Sequence, residues 1–337
     1  MKKRVLVAST LLAAVFLTAC ESSSESTEAD AVFEQALENA NQAPAQFAGA
    51  PGAGGPPGMG GPPPGAGGPP GGPGGPPPEG PVSDLVPDLI TTYKSLGDLE
   101  LSAHMFYPEG HTIDDEVAVL TFMHGGALRR GSPAQGYELA DLFTPMGVAV
   151  VAFEYRLLGT NADTLDEPVA DAKSSIRWLR TNADALGIDP DRIVMSGHSA
   201  GAFLALTAGV VPTFDEESES AEVSSMPNAL IPWSSMVTRS DDPEQSMLPE
   251  GMLMEDFSPA SYVRLGLPPA RFIHGDSDPV APIEAALEFE ERYRGAGNSS
   301  SFHIIEGADH FFRPPEHRQQ VMTLIGEFLA ELGYTEN

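Results

Sequence analysis

One cysteine, Cys20, stands in the whole chain, so no intramolecular disulfide can form and paired-cysteine metal or redox motifs are excluded. Positive charge is scarce as well: 18 Lys and Arg face 48 Asp and Glu, a formal net charge of −30. A surface of that sign repels phosphate backbones and anionic bilayers, which sets nucleic-acid binding aside. No H-E-x-x-H pair, phosphate-binding glycine loop or EF-hand loop occurs. Asp276-Ser277-Asp278 has the start of a calcium loop but lacks its later ligands and glycine. No metal site is therefore expected. The apolar stretch from Val5 to Leu17 is too short to span a bilayer.

That stretch follows Lys2, Lys3 and Arg4 and ends in Leu17-Thr18-Ala19-Cys20. The arrangement reads as a secretory signal. It also resembles a bacterial lipobox, whose cysteine is acylated and begins the mature chain. On this reading residues 1–19 are removed, Cys20 carries lipid, and the membrane is engaged only through that anchor. Glu21 follows the cysteine, not aspartate, so the outer membrane or cell surface of the envelope is the expected location. Residues 20–81 are acidic at first and then almost entirely Gly and Pro, without a glycine at every third position. Such a segment has little apolar surface to bury and is expected to be a disordered tether. A catalytic domain is expected over 82–337. Nothing in the sequence speaks to its oligomeric state.

Within that domain Leu99, Leu101, Ala103, Met105 and Tyr107 alternate with mostly polar residues, the pattern of an antiparallel strand with one buried face. Continuous apolar runs at Val117 to Met123, Val148 to Phe153 and Ile193 to Ser196 suit parallel strands covered on both sides. Later strands are expected at Ala229 to Pro232, Ala270 to His274 and Phe302 to Ile305. Helical spacing runs from Val169 to Leu186, stopping at Gly187, and recurs at Ile283 to Arg294 and His317 to Leu332. Alternating strands and helices imply an α/β fold, a mostly parallel sheet with helices on both faces.

Four motifs carry chemistry. Gly197-His198-Ser199-Ala200-Gly201 fits G-x-S-x-G, a sharp strand-to-helix turn that exposes a serine at a helix N-terminus. Small residues two places to either side leave room for the turn. His124-Gly125-Gly126-Ala127 follows a strand, and its backbone N–H groups at Gly126 and Ala127, with that of Ala200, can surround an oxyanion. Serine needs a base, and the base needs a carboxylate to orient it. His310 is the candidate base, in a loop after the last strand, because His303 falls within a strand and His317 opens a helix. Asp278 is the candidate acid. Asp276 competes for that role but lies closer to the strand end, where it suits a loop-tying hydrogen bond.

Together with Glu154-Tyr155-Arg156, Asp171, Arg177-Trp178-Leu179 and Gly187-Ile188-Asp189-Pro190-Asp191-Arg192-Ile193, these motifs resemble the carboxylesterases of the α/β-hydrolase superfamily, near acetyl esterases, feruloyl-esterase-like enzymes and hormone-sensitive-lipase relatives. The resemblance spans Leu96 to Leu332. It implies the α/β-hydrolase fold and cofactor-free hydrolysis of carboxylic esters through an acyl-enzyme. Two departures stand out: Ala127 replaces the usual third glycine, and Leu128 a common tryptophan, which bears on the acyl pocket. Short acyl esters or acetylated carbohydrate are the expected substrates. A prolyl-oligopeptidase-like peptidase shares the triad, and a non-catalytic binding module shares the fold. Two regions stay open. Asp215 to Glu255 either caps an acyl pocket with its Met and Trp residues or is an irregular loop. Arg129 and Arg130 either meet an anionic substrate or pair with surface carboxylates.

Overall fold

The apolar runs become the middle of an eight-stranded sheet in a computed structural model that describes residues 85–237 and 247–335. The segments read as signal, acylated cysteine and tether lie outside the described residues. Strands β1 (Leu89–Leu96), β2 (Leu99–Phe106), β3 (Val117–Met123), β4 (Val148–Phe153), β5 (Ile188–His198), β6 (Ala229–Trp233), β7 (Ala270–Gly275) and β8 (Ser300–Ile305) lie in the order β1-β2-β4-β3-β5-β6-β7-β8. β2 runs antiparallel to β1 and β4, and every later pairing is parallel. All six residues of β4 are buried, as a strand covered on both faces requires.

Helices α1 (Glu138–Phe143), α2 (Asp166–Thr181), α3 (Ala183–Leu186), α4 (Ala200–Val210), α5 (Met254–Phe257), α6 (Ile283–Gly295) and α7 (Pro315–Glu331) cover the sheet. One core holds α2, α4 and α6 against one face, with Ile176, Phe203 and Tyr293 buried. The other holds α1 and α7, with Phe143, Val321 and Leu329. Every residue of α4 is buried, because it is enclosed between the sheet and its neighbouring helices.

One local expectation is corrected. The single helix expected to Leu186 is broken at Asn182, whose side-chain amide donates to Trp178 O at 2.8 Å and ends α2. Gly187, with φ 61°, caps the short α3 that follows. Strand β1 has no clear period-two pattern, since a bulge between Thr92 and Lys94 turns both Tyr93 and Lys94 inward. The buried Lys94 ammonium is tolerated there because Asp171 lies 2.8 Å away.

Candidate active site

The four motifs emerge at the C-terminal ends of parallel strands, where an open α/β sheet presents its crevice. The His124 loop follows β3, the elbow follows β5 beside it, Asp278 follows β7 and His310 follows β8. Ser199 has φ 55° and ψ −116°, a strained conformation for a residue with a side chain. The turn holds because Ser199 N–H donates to Trp233 O at 3.0 Å and Ser199 O accepts from Phe203 at 3.1 Å. Its glycines are steric necessities. A Cβ on Gly201 would lie 1.9 Å from Met123 O, and one on Gly197 would lie 2.4 Å from the Gly201 carbonyl.

Ser199, His310 and Asp278, far apart in sequence, form one hydrogen-bonded line. His310 Nε2 is 2.9 Å from Ser199 Oγ, and His310 Nδ1 is 2.7 Å from Asp278 Oδ2. The carboxylate can only accept, so Nδ1 carries the proton and Nε2 offers its lone pair to the serine hydroxyl. All three side chains are buried. Asp278 Oδ1 accepts the Val280 and Ala281 amides at 2.8 and 2.9 Å. Burial pushes its pKa up, but hydrogen bonds from His274, His310 and the Ala281 amide outweigh that and hold the carboxyl well below the usual carboxylate range. Asp276 plays the tying part expected of it: its Oδ1 accepts the Gly307 amide at 2.7 Å and joins the ends of β7 and β8.

The His124 loop is knotted. Gly125 N–H donates to Gln135 Oε1 at 3.2 Å. The Gly126 and Ala127 amides donate to no backbone acceptor among the described residues. Ala127 and Leu128 both adopt left-handed backbone angles, φ 57° and 62°. Alanine and leucine thus take a geometry that glycine would take at less cost, about 1–2 kcal/mol per residue. The buried Leu128 side chain and a 2.7 Å bond from Leu158 N–H to Leu128 O hold the tip there.

Several residues around the site were not singled out from sequence. His198 Nε2 donates to His310 O at 2.7 Å, and its ring lies 5.0 Å from the His310 ring. Its Nδ1 would be 2.9 Å from a Cβ on Gly125, so the ring wedges between the glycine loop and the His310 loop. Burial and the neighbouring His310 lower the His198 pKa to about 4. Tyr155 donates its hydroxyl to His124 O at 2.8 Å and stacks on that ring at 4.1 Å. His124, buried, is lowered to about 4. His274 donates to Ala281 O at 2.8 Å and backs Asp278. The sequence shows these residues only as members or neighbours of the motifs; the contacts of His198 and Tyr155 are long-range.

Of the open region, residues 238–246 lie outside the described residues. Trp233 does not line an acyl pocket: it is fully buried in β6, donating to Ser196 Oγ at 3.0 Å. Met247 and Met254 pack against the larger core. A cavity of about 300 Å³ involves Lys173, Arg177, Asp215 and Met226 but opens at the C-terminal end of α4, the end opposite Ser199.

Comparison with known proteins places this geometry. The BD-FAE family model matches residues 105–293. Thermogutta terrifontis esterase 2, solved phosphonylated by cyclosarin, is 32% identical, with a TM-score of 0.69 over 74% of this chain and 95% of that one. Its propionate-bound and butyrate-bound forms match at 31% identity, with TM-scores of 0.68 and 0.67 over 74% and 73% of this chain and 95% and 94% of theirs. Esterase LipC of Mycobacterium tuberculosis is 29% identical over 58% of this chain and 53% of its own length. The acetylxylan esterase of Xylanibacter ruminicola is 25% identical over 58% and 41%. The chain thus spans about half the length, or less, of these curated relatives. Sheet order, strand directions and esterase neighbours agree on the α/β-hydrolase fold, and the chain belongs to the BD-FAE family.

Proposed function

We propose that this protein hydrolyses carboxylic esters of short acyl groups, with Ser199 as nucleophile, His310 as base and Asp278 as the carboxylate that orients it. The observation that carries the reading is the unbroken line Ser199 Oγ–His310–Asp278 at 2.9 and 2.7 Å, with the serine at the N-terminus of α4. Ser199 Oγ attacks the ester carbonyl and its proton passes to His310 Nε2. The oxyanion is met by the amides of Gly126, Ala127 and Ala200; loss of one such donor costs roughly 100- to 1000-fold in rate. The imidazolium then protonates the leaving alkoxide, and water, deprotonated by His310, releases the acid. Asp278 stays ionised and stabilises the charged imidazole. The esterase relatives, and the propionate and butyrate bound to one of them, support the reaction class and short chains. The acetylxylan esterase among them supports acetylated carbohydrate as one source of the ester.

The test is labelling and turnover. A fluorophosphonate should modify Ser199 alone, and two- to four-carbon esters should turn over faster than ten-carbon ones. Labelling undiminished in Ser199→Ala, or esterase activity above a few per cent in that variant, removes the reading.

The lipobox-like Leu17-Thr18-Ala19-Cys20 supports a second part of the proposal: Cys20 is acylated and holds the enzyme at the bacterial envelope, in the outer membrane or at the cell surface. Cys20→Ser should move the protein from the membrane to the soluble fraction. Sedimentation as tight as the wild type would contradict it.

A further inference from the structure

Among the described residues of this acidic chain, cations are almost all taken up by neighbours. Lys94 is held by Asp171, Lys173 by Asp215, and Arg264 by the carbonyl of Val210. Among the described Lys and Arg residues, Arg130 is the exception: exposed, with no ion pair, side-chain hydrogen bond or ring contact. It stands in a chain with 48 acidic residues and 18 basic ones, and it stands on the loop that carries two of the oxyanion amides.

Backbone geometry fixes its place. Arg130 N–H donates to Gly126 O at 3.2 Å. A Cβ on Gly126 would lie 2.0 Å from Arg130 O and 3.1 Å from Arg130 Cγ, so the stem of the arginine lies against Gly126 itself. Gly131 closes the knot, since a Cβ there would lie 2.4 Å from Gly125 O. Arg129 turns elsewhere, its Nη1 lying 3.5 Å from the Cβ position of Gly159. Leu128, just before both arginines in the loop's tip, is buried in the apolar interior. The loop therefore has an apolar inner side and a cationic outer side.

We propose that Arg130 is a specificity-determining residue that selects esters bearing a carboxylate on the alcohol side of the scissile bond. The inference rests on the esterase reading. The acyl and alcohol portions lie on opposite sides of the ester carbonyl, and on this proposal the alcohol portion takes the exposed side of the loop, where the Arg130 stem lies against Gly126. A guanidinium presents paired N–H donors that match a carboxylate. The remaining surface is strongly negative and repels anions, so without a local cation an anionic ester would be the poorer substrate.

The experiment compares kcat/KM for 4-acetoxybenzoate with that for its neutral methyl ester, and for O-acetylated glucuronate with that for O-acetylated glucose. The two pairs distinguish an aromatic from a sugar carrier of the same carboxylate. Reading the anionic-to-neutral ratio within each protein cancels any general loss of folded or active enzyme. In Arg130→Gln the ratio should fall about three- to fivefold in at least one pair, the scale of one charge-assisted contact at a solvent-exposed site. Arg130→Lys should keep part of it. Added salt should lower the wild-type ratio and leave that of Arg130→Gln nearly flat. A ratio unchanged by Arg130→Gln in both pairs overturns the proposal while the esterase reading stands. A wild-type protein that turns over none of the four esters overturns both.

Discussion

On the proposed mechanism Ser199, His310 and Asp278 act as one unit, so their losses should not add. Ser199→Ala and His310→Ala should each cost roughly four or more orders of magnitude in kcat, and the double variant little more. Asp278→Asn should cost on the order of 10⁴-fold, because an amide in place of the Asp278 acceptor favours the wrong tautomer of His310. Asp276→Asn should act mainly on the melting temperature, since its carboxylate ties Gly307 and touches neither His310 nor Ser199. Steady-state rates and melts of these five variants separate the outcomes. His198 holds the His310 main chain through one 2.7 Å bond, which on the proposed mechanism makes it a positioning residue. His198→Ala should lower kcat about tenfold, the worth of a lost hydrogen bond, with KM little changed. His198→Gln, which keeps an N–H donor, should recover most of the loss. Equal losses in both variants, tracking a fall in melting temperature, would reduce His198 to a packing role.

At the scale of elements, one buried cluster joins pieces that the sequence separates widely. Asp171 of α2, fully buried, accepts from Lys94 of β1 at 2.8 Å and from the Arg156 guanidinium at 2.8 to 3.1 Å. Arg156 also reaches Glu167, and Lys94 reaches Glu216. The segment that begins after β4 carries both Arg156 and Tyr155, and Tyr155 holds His124 O, so the cluster is linked to the glycine loop. Removing one member leaves buried charge unpaired, at a cost of about 3–5 kcal/mol. Asp171→Ala should therefore lower the melting temperature by roughly 10 °C in a domain of this size. Calorimetry checks it; a drop within 2 °C would mean that the cations find other acceptors.

The whole molecule should lose stability on mild acidification. His124 and His198 stay neutral in the fold down to about pH 4, while in the unfolded chain they bind protons near pH 6.5. Between those values the unfolded state holds more protons, so stability falls as pH falls from about 6.5 to 4 and these groups add no further loss below. Buried His124 contributes up to about 3 kcal/mol, and the partly exposed His198 less. The depressed Asp278 adds a loss of its own at lower pH, where its carboxylate is finally protonated. Urea melts at pH 7, 5.5 and 4 should show a falling midpoint, with a shallower fall in His198→Gln. A midpoint independent of pH over this window would contradict the neutral assignment.

Much of this was legible in the chain because it depends on neighbours in sequence. Covered strands announce themselves as apolar runs, and Gly197-His198-Ser199-Ala200-Gly201 marks its own turn because both glycines are sterically required there. The order of Ser199, Asp278 and His310 follows the order of strand ends, so these residues could be singled out before their distances were known. What sequence could not supply are contacts between remote segments. Whether His198 faces His310, whether Lys94 is buried or solvated, and whether Trp233 lines a pocket or the core are decided by which strands lie side by side. The same holds for Arg130: its position in the sequence left open a carboxylate partner or a substrate. Only the folded loop, curling Arg130 back onto Gly126 while its other cations find partners elsewhere, left that guanidinium unneutralised at the site. Local sterics and periodicity are written residue by residue, whereas electrostatic pairing depends on distances that exist only once the chain has closed.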